Sequence, residues 1–207
     1  FIITVRKSFL IISIINMKSI KSIFLCCMGM ILLLATISGC KKDDDKPEPT
    51  PKATDADGNV YNSVRIGEQI WMAENLRTTK YRDGTPIPEV TGNSEWASLT
   101  TPAFCWYQNE KATYGSKYGA LYNFYAVNTG NLCPAGWHIP SNEEFVQLAD
   151  YLGGKEVAGS KLKDKDSLYW GSPDTLATNE TGFSARPAGY RNENNGEFAI
   201  MGTHGFW

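Results

Sequence analysis

Leu132-Cys133-Pro134-Ala135-Gly136-Trp137-His138-Ile139-Pro140-Ser141-Asn142-Glu143-Glu144-Phe145-Val146-Gln147-Leu148-Ala149-Asp150-Tyr151-Leu152-Gly153-Gly154 carries the clearest helix signal in the chain. Ser141 followed three residues later by Glu144 predicts a capping box, in which each side chain satisfies a backbone N–H that the first turn leaves open. Phe145, Leu148, Ala149 and Leu152 recur at helical spacing as one apolar stripe, and Gly153-Gly154 ends it. The acidic first turn complements the helix dipole.

Upstream the period changes from helical to alternating. Val60-Tyr61-Asn62-Ser63-Val64-Arg65-Ile66 and Gln69-Ile70-Trp71-Met72 are β-rich runs joined by Gly67-Glu68, which predicts a hairpin with a type II′ turn. Before them, Asp55-Ala56-Asp57-Gly58-Asn59 has the closely spaced oxygens of a calcium loop. However, the position that should carry a bidentate Glu is Ile66 and no helix precedes it, so the segment reads as a turn. From Asn75 to Tyr107 no helical period is sustained, which predicts loops around short strands, Ala103–Tyr107 among them. In 119–127, Leu121, Phe124 and Tyr125, with Asn128 just beyond, predict a short buried helix.

These residues together carry a resemblance. Gly58-Asn59-Val60-Tyr61, Ile66-Gly67 with Gln69 and Trp71-Met72-Ala73-Glu74-Asn75-Leu76, Tyr118-Gly119 with Leu121-Tyr122-Asn123 and Tyr125-Ala126, Leu132-Cys133-Pro134 with Gly136-Trp137-His138-Ile139-Pro140-Ser141, and Gly182-Phe183-Ser184-Ala185 with Pro187 and Gly189-Tyr190-Arg191 resemble the Fibrobacter succinogenes major paralogous domain, in order. That family is found in exported and surface lipoproteins and is similar to the C-type-lectin-like fold of formylglycine-generating enzymes. The resemblance implies an α+β, C-type-lectin-like fold with a twisted antiparallel sheet, two short helices and long loops. The family pattern continues past Gly202, Gly205 and Trp207, so the sequence reads as a domain incomplete at its C-terminal side.

The chain's opening concerns address rather than fold. Met17, Lys18 and Lys21 begin a basic segment, Ile23 to Ile37 is apolar, and Ser38-Gly39-Cys40 presents small residues before a cysteine. This is the pattern of a lipoprotein signal cleaved ahead of an acylated Cys40. At about 0.8 kcal/mol per buried methylene, an acylated cysteine bearing several chains ties the protein to a membrane. Lys41-Lys42-Asp43-Asp44-Asp45 resembles the export tag of Bacteroidetes surface lipoproteins. The expected organisation is upstream sequence translated by error in 1–16, signal peptide in 17–39, flexible linker in 40–54 and the domain in 55–207. The expected location is the outer membrane, exposed at the surface.

Several function classes are weakened by composition. Without the signal the chain keeps 16 basic and 22 acidic residues, a balance of −6, and no basic stripe interleaved with aromatics suits nucleic acid. Export leaves Cys105 and Cys133 as an isolated pair in an oxidising compartment, which predicts a disulfide contributing about 3 to 4 kcal/mol. His138 and His204 are far apart and no His-Glu-x-x-His, Gly-x-Ser-x-Gly or phosphate loop occurs, so the chain is not read as an enzyme. Residues 182–207, where the related enzymes keep paired copper-binding cysteines, contain none. No metal or cofactor is assigned, although the family fold leaves calcium open.

A binding module remains the leading reading. The chain has six tryptophans and ten tyrosines, flat amphipathic rings suited to stacking on sugars or proteins. Trp71, Trp106 and Trp137 lie among apolar neighbours and are assigned to the core. Trp96, Trp170, Arg191, Asn192, Asn194 and Asn195 stand in polar context and are the candidate ligand-binding residues. Arg186 is expected in a structural ion pair. The domain is thus expected to bind a glycan or protein on a cell, host or fibre surface. The second reading is a structural or assembly component of the envelope or a surface appendage.

Overall fold

A computed structural model describes residues 49–166, 168–170 and 176–206. Cys40, the 1–16 and 17–39 segments, most of the 40–54 linker and Trp207 lie outside the described residues.

The architecture is α+β, and it begins with two small antiparallel ladders. β1 (Ala53–Thr54) pairs with β2 (Val60–Tyr61), closing the Asp55–Asn59 loop. β3 (Ser63–Ile66) then pairs with β4 (Gln69–Met72) with Ile66 opposite Gln69. Between them Gly67 has φ +59° and Glu68 does not share the left-handed region, so the connection is the expected type II′ turn. Gly67 is required twice over: a Cβ there would also lie 2.9 Å from the Tyr151 ring.

Next come α1 (Asn93–Ser98) and β5 (Phe104–Cys105). They are followed by a 3₁₀ turn at Tyr107–Asn109, a π-helical turn at Lys111–Gly115, α2 (Ser116–Tyr118), β6 (Leu121–Tyr122) and α3 (Phe124–Val127). The last elements are α4 (Asn142–Tyr151), α5 (Lys155–Leu162), β7 (Tyr190–Arg191) and β8 (Phe198–Ala199).

Among the described residues the strands form four separate two-stranded antiparallel ladders rather than one twisted sheet, and there are five α-helical segments rather than two. The segment read as loops contains α1, whose six residues are too few to show a period. The helix expected over 119–127 is half strand. Leu121 and Tyr122 pair with Cys105 and Phe104, and helix starts only after Asn123, whose Oδ1 accepts from the Ala126 and Ala103 N–H groups at 3.0 Å. Pairing with a distant strand overrides the local helical spacing.

α4 follows its sequence closely. Ser141 Oγ accepts from the Glu144 N–H, and a Glu144 carboxylate oxygen accepts from the Ser141 N–H at 2.8 Å. Leu148 and Leu152 are buried, with Phe145 and Ala149 packed beside them against Ile66, Trp71, Ala158 and Phe183. Trp71 meets Phe145 and Phe183 at ring separations of 5.2 and 5.8 Å.

The pleat sorts side chains between cores. On β4, Trp71 faces the α4 side while Met72 joins a second core with Tyr61, Leu76, Phe104, Tyr122, Cys133 and Trp137. On β5 the same alternation sends Phe104 into that second core and Cys105 into a third, with Val90, Trp96, Tyr107, Tyr118 and Leu121. Cys105 and Cys133 therefore lie in different cores, and the expected disulfide is not formed: both are free, buried thiols. Burial pushes each thiol up to about 12, against the opposing charge of Arg191 at Cys105 and of Arg82 at Cys133. Neither is primed as a nucleophile.

Candidate functional site

The side chains first suspected of binding ligand are mostly structural. Arg191 is 0 % exposed. Its guanidinium lies between the rings of Trp96 and Phe198, 4.6 and 4.7 Å from their centroids. Nε donates to the Gly196 carbonyl at 2.8 Å, Nη1 to Val90 at 2.6 Å, and Nη2 to Thr91 at 2.7 Å and to Asn93 Oδ1 at 3.1 Å. Every face of the cation is occupied, so Arg191 ties the β7–β8 hairpin to the segment before α1 and offers nothing to a ligand. Trp96, 2 % exposed, is the floor of that arrangement.

The asparagine loop closes on itself for the same reason. Asn192 Oδ1 accepts from the Asn194 N–H at 2.7 Å, and Asn195 reaches the Glu197 N–H and carboxylate at 3.0 Å. These are Asx-turn contacts that build a tight hairpin end. Asn194 and Asn195 remain exposed, whereas Asn192 is half-buried. Trp170 is 7 % exposed with the Lys163 ammonium 4.7 Å over its ring. Arg186 forms the expected ion pair, Nε to Asp164 Oδ2 at 3.3 Å.

The Asp55–Asn59 loop is a turn, as its sequence implies. Asp55 Oδ1 accepts from the Asp57 and Asn59 N–H groups, and Oδ2 from Asn59 Nδ2 and the Tyr61 hydroxyl. Asp57 is engaged by Thr78, Thr79 and Lys80. Burial raises its carboxyl, but the Thr79 backbone and hydroxyl and the Lys80 ammonium outweigh that and hold it below its ordinary value. His138 Nε2 lies 2.9 Å from Glu144, within the α4 cap. Among the described residues no three His, Cys, Asp or Glu side chains converge as a metal site.

An open recess lies elsewhere. Thr113, Tyr114, Lys117, Tyr118, Leu168 and Tyr169 line a shallow cleft of about 140 Å3. Its wall is the π-helical turn, a rare conformation that recurs at functional sites, entered through Gln108 and Asn109 at φ +51° and +61°. Gly115 lets that turn press on Trp106, where a Cβ would come within 3.1 Å of the indole. Tyr118 is fixed by Asn75 Nδ2, which donates to its carbonyl at 2.8 Å.

The three tyrosines form a chain, Tyr114 tilted on Tyr118 at 6.3 Å and Tyr118 edge-on to Tyr169 at 5.9 Å; Tyr118 in the middle is buried, and Tyr114 and Tyr169 are half-buried. Arg186 stacks 4.2 Å over Tyr169 and donates to the Lys117 carbonyl at 2.8 Å, locking the two walls together. Burial, then the neighbouring Tyr169, push the Tyr118 phenol above its ordinary value despite Arg186, so it is a neutral hydroxyl at physiological pH. Leu168, 83 % exposed, forms the outer lip. The sequence reading passed over this cleft; the four-residue spacing of Tyr114 and Tyr118 was its only local signal, because Tyr169 and Leu168 arrive from fifty residues away.

Comparison with curated proteins gives no match, and neither does comparison with solved structures. A family model described as the Fibrobacter succinogenes major domain matches residues 64–207, from β3 through the cleft to the last residue of the sequence. The chain belongs to the Fibrobacter succinogenes major domain family.

Proposed function

We propose that this chain is an exported lipoprotein, anchored in the outer membrane through Cys40 and exposed at the surface, whose C-type-lectin-like domain binds a glycan or protein on a cell, host or fibre. The single observation that supports the binding role is the tyrosine-lined cleft. Aromatic walls with unspent hydroxyls at the surface are the chemistry of a recognition site, since rings bury area at low entropic cost and hydroxyls fix orientation. No covalent chemistry is assigned: the thiols are buried and protonated, and no nucleophile–base pair faces the cleft.

The test is a glycan array and a cell-surface pull-down with the full chain in detergent, with and without calcium. Retention of a glycan or surface protein that is weakened by Tyr114→Ala supports the reading, and absence of any capture overturns it. The anchor is checked separately. Cys40→Ala releases the protein from the membrane fraction, whereas unchanged partition refutes lipidation.

A further inference from the structure

The lining of the cleft narrows the ligand class. Its polar groups are the hydroxyls of Thr113, Tyr114, Tyr118 and Tyr169 and the ammonium of Lys117, with no Asp, Glu, Asn, Gln or His among them. Within the described residues none of these hydroxyls is engaged in a side-chain hydrogen bond, and Lys117, which is exposed, is in no ion pair. The nearby carboxylate of Asp164 is matched by Arg186. The hydroxyls accept as well as donate and so serve neutral and acidic sugars alike; the one charge on the wall is the Lys117 ammonium, with no carboxylate among the lining side chains. A ligand carrying its own carboxylate meets the ammonium and hydroxyls as an acceptor, and charge-assisted hydrogen bonds are the stronger kind.

Size limits the ligand independently of its charge, because about 140 Å3 is well below the roughly 300 Å3 at which drug-sized pockets begin. A single ring or a chain end fits. We propose that the cleft binds an acidic saccharide terminus, a uronic or sialic acid type of residue, with its carboxylate on Lys117 and the apolar face of its ring on the half-buried Tyr114 beside the exposed Leu168 lip. This deepens the recognition role assigned above and rests on it.

The experiment is calorimetric titration of the full chain in detergent with glucuronic and galacturonic acids, sialic acid, and the neutral hexoses glucose and galactose. The acidic sugars are expected to bind about tenfold tighter or more than the neutral ones. Lys117→Gln is expected to abolish the preference, Lys117→Arg to keep it, and added salt to weaken it. Unchanged thermal melting of the Lys117 variants shows that the fold is intact. Equal affinity for acidic and neutral sugars, or a preference that survives Lys117→Gln, overturns the proposal while leaving the recognition role standing. Failure to bind any acidic sugar while a surface protein is captured does the same, and absence of all capture overturns both.

Discussion

Two cation–aromatic clusters sit in one domain and do opposite things. Arg191 is enclosed by Trp96 and Phe198, and all its donor groups reach the chain's own oxygens. Lys117 stands beside Tyr114 and Tyr118 with its ammonium in solvent and no ion pair among the described residues. Residue types are nearly the same in the two places, so composition does not separate glue from site. The difference is whether the polar atoms are already spent.

The largest expected effect breaks the sealed cluster. Arg191→Met leaves the carbonyls of Gly196 and Val90 without their donor in a buried place, while Thr91 keeps Asn109, and is expected to cost about 3 kcal/mol or more. Urea denaturation measures this; a loss under about 1 kcal/mol would show that the arrangement is dispensable. Gly196→Ala tests the same cluster from the backbone. Gly196 has φ +71°, and a Cβ there would overlap Asn93, whose carbonyl oxygen would lie 2.2 Å away. A loss of about 2 kcal/mol is expected, with the β7–β8 hairpin displaced from α1.

A third test uses Asp57, another polar group the fold has already engaged. Its carboxyl is held below the ordinary 3.8 in the folded state, so its contribution is present above the unfolded value and is lost as pH falls through the folded one. Melting temperature followed from pH 6 downward is expected to fall below about pH 4, and Asp57→Asn is expected to flatten that acid limb. An unchanged limb would show that the Thr79 and Lys80 contacts do not persist in solution. The smallest effect belongs to the open cluster: Lys117→Gln is expected to move stability by less than about 0.5 kcal/mol, as for an exposed side chain without structural partners. A large loss there would make Lys117 structural and erase the contrast with Arg191.

Much of the fold is legible wherever partners are close in sequence. Ser141 and Glu144 cap α4 three residues apart, Gly67-Glu68 turns β3 into β4, and the Asp55–Asn59 loop bonds to itself. The disulfide, the first half of the short helix expected over 119–127 and the ligand role of Arg191 fail for one shared reason. Each depends on a partner that the fold brings from far along the chain, or holds away. Cys105 and Cys133 are separated because β5 turns alternate side chains into different cores, and Arg191 is spent on Val90 and Thr91, a hundred residues earlier.

By itself the sequence determined the local grammar of this protein: where α4 starts and stops, which hairpin turns, and that Trp71, Trp106 and Trp137 pack, although Trp96 and Trp170, read as surface candidates, are buried as well. It also carried the family pattern, now matched over residues 64–207. Tertiary structure alone decided which polar and aromatic side chains remained available. A hydrogen bond or a buried face is used up by whatever the fold places against it. That is why the Arg191 loop, rich in binding residue types, is closed, while the cleft formed when Leu168 and Tyr169 meet the π-helical turn at Tyr114 is open.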